Sequence, residues 1–288
     1  GFEERETIET LIKSATHGGY THIAPFPNLN PVIDNKSSVK YLVREFDKSI
    51  LSIHPIGAIS KQLNGKDIAE MIDMSHHGAV GFSDGLRSIQ DTGLVLRALL
   101  YSKSVNKPIL QHPNDKGLSQ DTSMHEGETS TAMGLPGTPA EAESIMARRD
   151  IDLANYSETS IIIHNISSKT TLSLIKKAKR KDYPVLTSVA AMNLIHTEKD
   201  LEGFNPVFKV SPPLRREKDR KNLIKGLKNN MIDYISSNHR PVDAENKDLE
   251  FFRSAKGAST LDTVFSSLIT HIKEELELQV LINKLAYG

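Results

Sequence analysis

The strongest constraint on the fold is a regular alternation. Short runs rich in Ile and Val recur along the chain: "YTHIAPFP", "ILSIHPIGAI", "AVGFSD", "PILQHP", "SIIIHNIS", "PVLTSVAAMNLI" and "IDYISSN". Helix-like runs flank each of them, and the chain opens on one, "EERETIETLIKSATHGG", with Ile8, Leu11 and Ile12 on one face and glycines at its end. Strands that alternate with helices imply βα units and a parallel sheet. Their continuous apolar character suits strands covered on both faces. A doubly wound sheet and a (β/α)8 barrel both satisfy this pattern. No glycine-rich phosphate loop follows the first visible strand, which disfavours the doubly wound nucleotide binder. The expectation is one α/β domain over residues 1–288, a (β/α)8 TIM-type barrel whose first strand would precede Gly1. Locally, serine caps are expected to open the helix "SSVKYLVREFDKS", and Thr138 the helix "TPAEAESIMARRDIDLANYS" with Pro139 at its first position. A long polar loop is expected before that helix.

Composition narrows the chemistry. With no cysteine, disulfides and thiolate metal sites are excluded, so a metal site must use His, Asp, Glu or a modified Lys. Lys plus Arg and Asp plus Glu are equal at 36 each, so charge offers no reason to expect nucleic acid or an anionic membrane as partner. No apolar run approaches the ~20 residues of a membrane span. The acidic, polar start "GFEERETIET" is unlike a signal peptide, and a cytoplasmic location is expected.

A barrel of this type carries its chemistry at the C-terminal ends of its strands. Those ends offer Asn28, Asp84, His112, His164 and Asn165, Asn193, and Asn238 with His239. Loops are polar in any case, so polarity at strand ends is by itself an even-handed signal between a site and a surface.

Several longer stretches carry more. "GFEERETIET…GGYTHIAPFPNLNPVID", "GFSDG", "QHPND", "HEGETSTAMGLPGTPAEAE", "HNISSKTTLSLIKKAK", "KVSPPLRREKDR" and "DYISSNHRP…ENKD" follow one another in the order and spacing found in dihydroorotases. The chain resembles this family along essentially its whole length, in the bacterial branch that includes the dihydroorotase domain of multifunctional pyrimidine enzymes. The resemblance implies an amidohydrolase-superfamily barrel, bound zinc, and interconversion of carbamoyl aspartate and dihydroorotate in pyrimidine synthesis. It also implies an H-x-H-x-R-E-P segment ahead of Gly1 and a small β-rich domain built from both chain ends, neither of which is in this sequence.

Carried over residue by residue, the resemblance assigns Asn28 to the substrate carboxylate, with Leu29 in place of the usual threonine. Asp84 and His112 fall on metal-ligand positions, although "GFSDG" has one acidic residue fewer than the family's F-S-D-D-G. Asn165 stands where the family has a ligating histidine. Asn238 stands where it has an aspartate that is both ligand and proton shuttle. Ser211 and Val242 replace a substrate-binding asparagine and histidine, and "VAAMNL" replaces P-H-H-L. Strand alternation would turn His164 and His239 away from the face that Asn165 and Asn238 occupy, leaving His164 packed among helices. A carboxamide is neither a base nor a good zinc ligand, and loss of a general base costs ~10²–10⁴ in rate.

The resemblance therefore implies a dihydroorotase homologue with weak or absent zinc and no dihydroorotase activity. Some inactive members of the family serve as structural partners of aspartate transcarbamoylase, so the resemblance implies that role here, and a homo-oligomer is also expected. The alternatives are an active dihydroorotase or related cyclic-amide hydrolase with a rearranged mononuclear site on His112, Asp84 and first-strand histidines, and a small-molecule binding module that uses Asn28.

Overall fold

The computed structural model describes residues 2–47 and 49–286. Gly1, Lys48 and the last two residues, on which the expectations about the chain ends fall, lie outside the described residues. Among the described residues ten short strands occur in chain order: β1 (His22–Ile23), β2 (Ser52–Ile53), β3 (Ile56–Gly57), β4 (Gly81–Phe82), β5 (Ile109–Gln111), β6 (Met124–His125), β7 (Gly137–Thr138), β8 (Ile161–Ile163), β9 (Val185–Ala190) and β10 (Tyr234–Ser236). The chain groups into two compact units.

The first unit holds the chain through His112, together with Arg149–Ile163 and Asp182–Val185. Its paired strands are all parallel: β1 with β2, β3 with β4, β4 with β5, and β5 with β8. Ile109 pairs with Ile161 and Gln111 with Ile163, and Phe82, Ile109, Ile161 and Ile163 have no solvent exposure. These four residues share one face of the sheet; on the other face Leu110 is buried and Ile162 half-buried, so the coverage of both faces that the Ile-rich runs anticipate is nearly complete. Helices Ile8–His17, Lys36–Glu45, Met71–His76 and Thr92–Val105 belong to this unit. The second of these is capped by Asn35, whose Oδ1 accepts from Ser37 N–H at 3.0 Å and Ser38 N–H at 3.2 Å. The expected serine caps lie instead inside its first turn. Asparagine, two residues upstream of Ser37, reaches the free amides first.

The second unit holds Pro113–Arg148, His164–Lys181 and the chain from Leu186 onward. Here β9 pairs with β10, again in parallel, and β6 pairs with β7. The segment expected to be a long polar loop contains β6, β7 and the short helix Glu128–Ala132. Thr138 is part of β7, and the helix begins at Glu141. The Thr138 carbonyl accepts from Glu126 N–H at 3.1 Å and Arg215 Nη1 at 3.0 Å, contacts that hold it in an extended pair and not at a helix cap. The strand expected to run through "PVLTSVAAMNLI" stops at Ala190, and Ala191–Ile195 is helical. Ala, Met and Leu are good helix formers, and local propensity wins once the pairing with β10 ends at Ala190.

Candidate functional site

In the second unit the candidate residues form one hydrogen-bonded chain. Strand β8 ends at Ile163, and Asn165 sits two residues on with φ 57°. Strand β10 ends at Ser236, and Asn238 follows with φ 50°. Both asparagines are therefore left-handed, a conformation that Asn tolerates better than most residues. Asn165 has no solvent exposure. Its Nδ2 donates to Asn238 Oδ1 at 3.1 Å, and its Oδ1 accepts from Ser236 Oγ at 2.6 Å. Asn238 Nδ2 donates in turn to the Ser211 carbonyl at 2.9 Å. The structure thus brings Asn165, Asn238 and Ser211 together. Val242 is half-buried beside Gly257, where an added Cβ would lie 2.9 Å from Val242 Cγ2.

Of the neighbouring histidines, His164 shares a neighbour with Asn165, whereas His239 makes its contacts outside the Asn165–Asn238–Ser211 chain. His164 is buried, and its Nδ1 lies 2.9 Å from Ser188 Oγ, the same hydroxyl that accepts from the Asn165 backbone N–H at 2.8 Å. The strand ends before His164, and the left-handed turn at Asn165 breaks the two-residue period, so the two side chains share a neighbour. His239 Nδ1 accepts from Thr260 N–H at 3.0 Å and Leu261 N–H at 3.2 Å and so ties down the 260–261 backbone. Asn193, read as a strand-end residue, lies in the helix Ala191–Ile195 and donates to the Pro213 carbonyl at 2.9 Å.

In the first unit Asp84 is buried, and its carboxylate is occupied by backbone and hydroxyl donors. Oδ1 accepts from Ile59 N–H at 3.0 Å and Ser60 N–H at 2.9 Å, and Oδ2 accepts from Ser60 Oγ. Burial pushes its carboxyl above the usual range, and the Ser60 and Ile59 donors partly oppose that. The Asp84 carbonyl accepts from Asn28 Nδ2 at 3.2 Å. Asn28 packs so closely on Gly85 (φ 63°) that a Cβ there would fall 1.6 Å from Asn28 Oδ1, which explains the glycine of "GFSDG". His112 is buried just after β5.

These donor sets do not fit a zinc ion. Among the described residues no three His, Cys, Asp or Glu side chains are grouped to hold a metal. The two amides at the carried-over ligand positions of the second unit are neutral and are spent on each other and on Ser211. In the first unit Asp84 already accepts from three protein donors.

The residues that sequence reasoning missed are those of the motifs themselves. Arg215, from "SPPLRR", is 4% exposed and donates to Ser167 Oγ at 3.0 Å, His125 Nδ1 at 2.9 Å and the Thr138 carbonyl at 3.0 Å. Its Nη2 lies 3.7 Å from Glu143 Oε2. Glu143 accepts from Ser167 N–H at 2.9 Å, from Ser168 N–H and Ser168 Oγ at 3.0 Å each, and from Ser167 Oγ. Its charge therefore sits at the N-terminus of the helix Lys169–Lys179, where the dipole favours it. A guanidinium only donates, so His125 Nδ1 must accept and Nε2 carries the proton. Burial, then the charges of Arg215 and Arg216, press the His125 pKa down to about 4. His125 is thus held neutral in a structural network that joins "HEGETS", "TPAEAE", "HNISS" and "SPPLRR". The signal was legible as motif specificity, but it belonged to packing and not to chemistry.

Comparison with known proteins agrees with the sequence motifs. Residues 1–171 match the family model described as Dihydro-orotase-like. A dihydroorotase of Ruminiclostridium cellulolyticum is 36% identical over 291 residues, covering 100% of this chain and 68% of the relative. One of Caldicellulosiruptor saccharolyticus is 38% identical over 276 residues, covering 96% and 64%. The chain thus spans about two thirds of the length of these relatives. Among solved structures, the L-hydantoinase (dihydropyrimidinase) of Arthrobacter aurescens superposes with a TM-score of 0.84 at 21% identity, over 98% of this chain and 65% of that one. A D-hydantoinase of Thermus sp. gives 0.78 at 18% identity, over 98% and 65%. These likenesses show the fold, the parallel α/β architecture of the amidohydrolase barrels that the alternation anticipates. On the match over residues 1–171 and the identity kept along the whole chain, the protein belongs to the dihydroorotase-like family.

Proposed function

We propose that this chain is a dihydroorotase-type scaffold of pyrimidine biosynthesis that has lost ring-closing catalysis, holds zinc weakly or not at all, and acts as a structural partner of aspartate transcarbamoylase in the cytoplasm. The observation that carries the reading is the Asn165–Asn238 amide pair at 3.1 Å, closed by Asn238 on the Ser211 carbonyl. The family chemistry needs a base at one of these positions and metal ligands at both. Two carboxamides bonded to each other supply neither. A partner role follows from the same loss, because a scaffold without chemistry acts through its surface. No helix among the described residues is long and apolar enough to cross a membrane, and the net charge is zero, so a folded protein contact, including contact between copies of the chain, is the simplest surface role.

The second reading is an ordinary dihydroorotase, and what favours it is that relatives at 36–38% identity bear that name. Two measurements on the full-length protein separate the readings: zinc by elemental analysis after chelator-free purification, and closure of carbamoyl aspartate to dihydroorotate. The proposal expects substoichiometric zinc and no turnover. One tightly held zinc per chain, with activity lost in His112→Ala, would establish the second reading. In the triple variant Asn165→His, Asn238→Asp, Val242→His, metal uptake is expected to return more readily than catalysis. Co-purification with aspartate transcarbamoylase tests the partner, and separate migration at micromolar concentration refutes it.

A further inference from the structure

Strands β1 and β2 pair in parallel with His22 opposite Ser52, and His54 N–H donates to the Ile23 carbonyl at 2.8 Å. Ser52 and His54 are two residues apart, so His22 and His54 are diagonal neighbours on one face of the ribbon. Their rings stack with centroids 5.2 Å apart and planes at 21°, and His22 Nδ1 lies 2.9 Å from His54 Nε2. His22 is exposed and His54 half-buried.

We propose that this pair is a chelating site for a tetragonal divalent ion of the Cu(II) or Ni(II) class. Two neutral imidazoles that face each other share one N–H between two nitrogens. The same nitrogens, turned slightly about χ2 until both lone pairs point at one spot, are a bidentate imidazole ligand set. With metal–nitrogen bonds of about 2.0–2.1 Å, cis ligands at a right angle stand about 2.9 Å apart, whereas a tetrahedral pair stands about 3.3–3.4 Å apart. The preference for the tetragonal ions over zinc rests on the affinity order of imidazole ligands, in which Cu(II) stands above Zn(II). Both side chains sit on, or directly beyond, paired strands, so the site is largely preorganised. Among the described residues no third His, Asp, Glu or Cys completes the set, so water fills the remaining positions on the exposed side of His22. Neither histidine is among the positions that the family resemblance assigns, and the inference is independent of the proposed function.

The test is titration of the intact chain with Cu(II) in chelator-free buffer, followed by calorimetry and electron paramagnetic resonance, for wild type, His22→Gln, His54→Gln and the double variant. Circular dichroism confirms that each variant is folded. Wild type is expected to bind one equivalent with hyperfine structure from two nitrogens, and to bind Zn(II) more weakly. Each single substitution is expected to weaken Cu(II) binding roughly tenfold or more. Equal Cu(II) affinity in the wild type and the double variant would overturn the assignment. So would a spectrum without the two-nitrogen pattern, or tighter binding of Zn(II) than of Cu(II). Because the wild-type spectrum reports the ligands directly, the proposal remains falsifiable even if a variant loses stability.

Discussion

Replacing Arg215 by Met tests whether the specific motifs of this chain are structural. Methionine keeps much of the length and apolar volume of the side chain but removes the charge and every donor. Three acceptors then lose a partner: Ser167 Oγ, His125 Nδ1 and the Thr138 carbonyl. Glu143, 3% exposed, also loses its nearby cation. Breaking a buried pair by removing one partner costs about 3–5 kcal/mol. The Thr138 carbonyl keeps the Glu126 N–H and Ser167 Oγ still donates to Glu143, so the acceptor left stranded is His125 Nδ1, at about 1–3 kcal/mol before relaxation, and Glu143 keeps four hydrogen bonds that soften its own loss. The expected net cost is about 4 kcal/mol, a large part of the roughly 5–15 kcal/mol that holds a typical protein folded. Urea unfolding at pH 7, followed by fluorescence and circular dichroism together, measures it. Arg215→Lys keeps the charge but not the fork that reaches His125 and Thr138, so it should recover only part of the loss. A cycle with Glu143→Gln should be non-additive by about 1–3 kcal/mol, the double variant being less damaged than the sum. In Arg215→Met the His125 pKa should also rise from about 4 toward its ordinary value, because one of the charges that depress it is gone. A cost below about 1 kcal/mol, or an additive cycle, would refute the claim that Arg215 is a buried staple.

Two buried groups shape the pH dependence in opposite directions. His125, depressed to about 4 chiefly by burial, takes up its proton in the unfolded chain first, so its contribution is full above about pH 6.5 and is lost as pH falls toward 4, at most roughly 3 kcal/mol. Asp150, raised to about 6 by burial against the opposing pull of Arg149, holds its proton longer in the folded chain, so its contribution falls as pH rises from about 4 to 6. The two oppose each other in wild type, and His125→Asn should expose the limb that the raised Asp150, together with the raised Asp84, contributes as stability that declines with rising pH in thermal unfolding; an unchanged profile would refute the assignment. Gly85→Ala should displace Asn28 and cost about 1–3 kcal/mol, from the clash at 1.6 Å and the left-handed φ of 63°, read as a lower unfolding midpoint.

Much of the architecture was legible in the chain. The period of apolar runs separates strands from helices because a strand covered on both faces needs uninterrupted Ile and Val, as at Ile161–Ile163, where Ile161 and Ile163 have no exposure on one face and Ile162 is half-buried on the other. The family motifs, and the asparagines at positions 165 and 238 within them, are likewise properties of the sequence alone. Only the tertiary structure decided what those residues do. Asn165 and Asn238 are 73 residues apart, and nothing local says that their amides pair. Arg215 and His125 are 90 apart, and their motifs read only as marks of a family until burial shows one guanidinium holding four segments together. That His164 and Asn165 share the Ser188 hydroxyl was not legible, because alternation holds only while a strand continues, and a left-handed turn at Asn165 ended it. Periodicity is a local consequence of backbone geometry and can be read along the chain. Hydrogen-bond partnership across a fold depends on which segments the packing makes neighbours, and that is set only when the whole chain is folded.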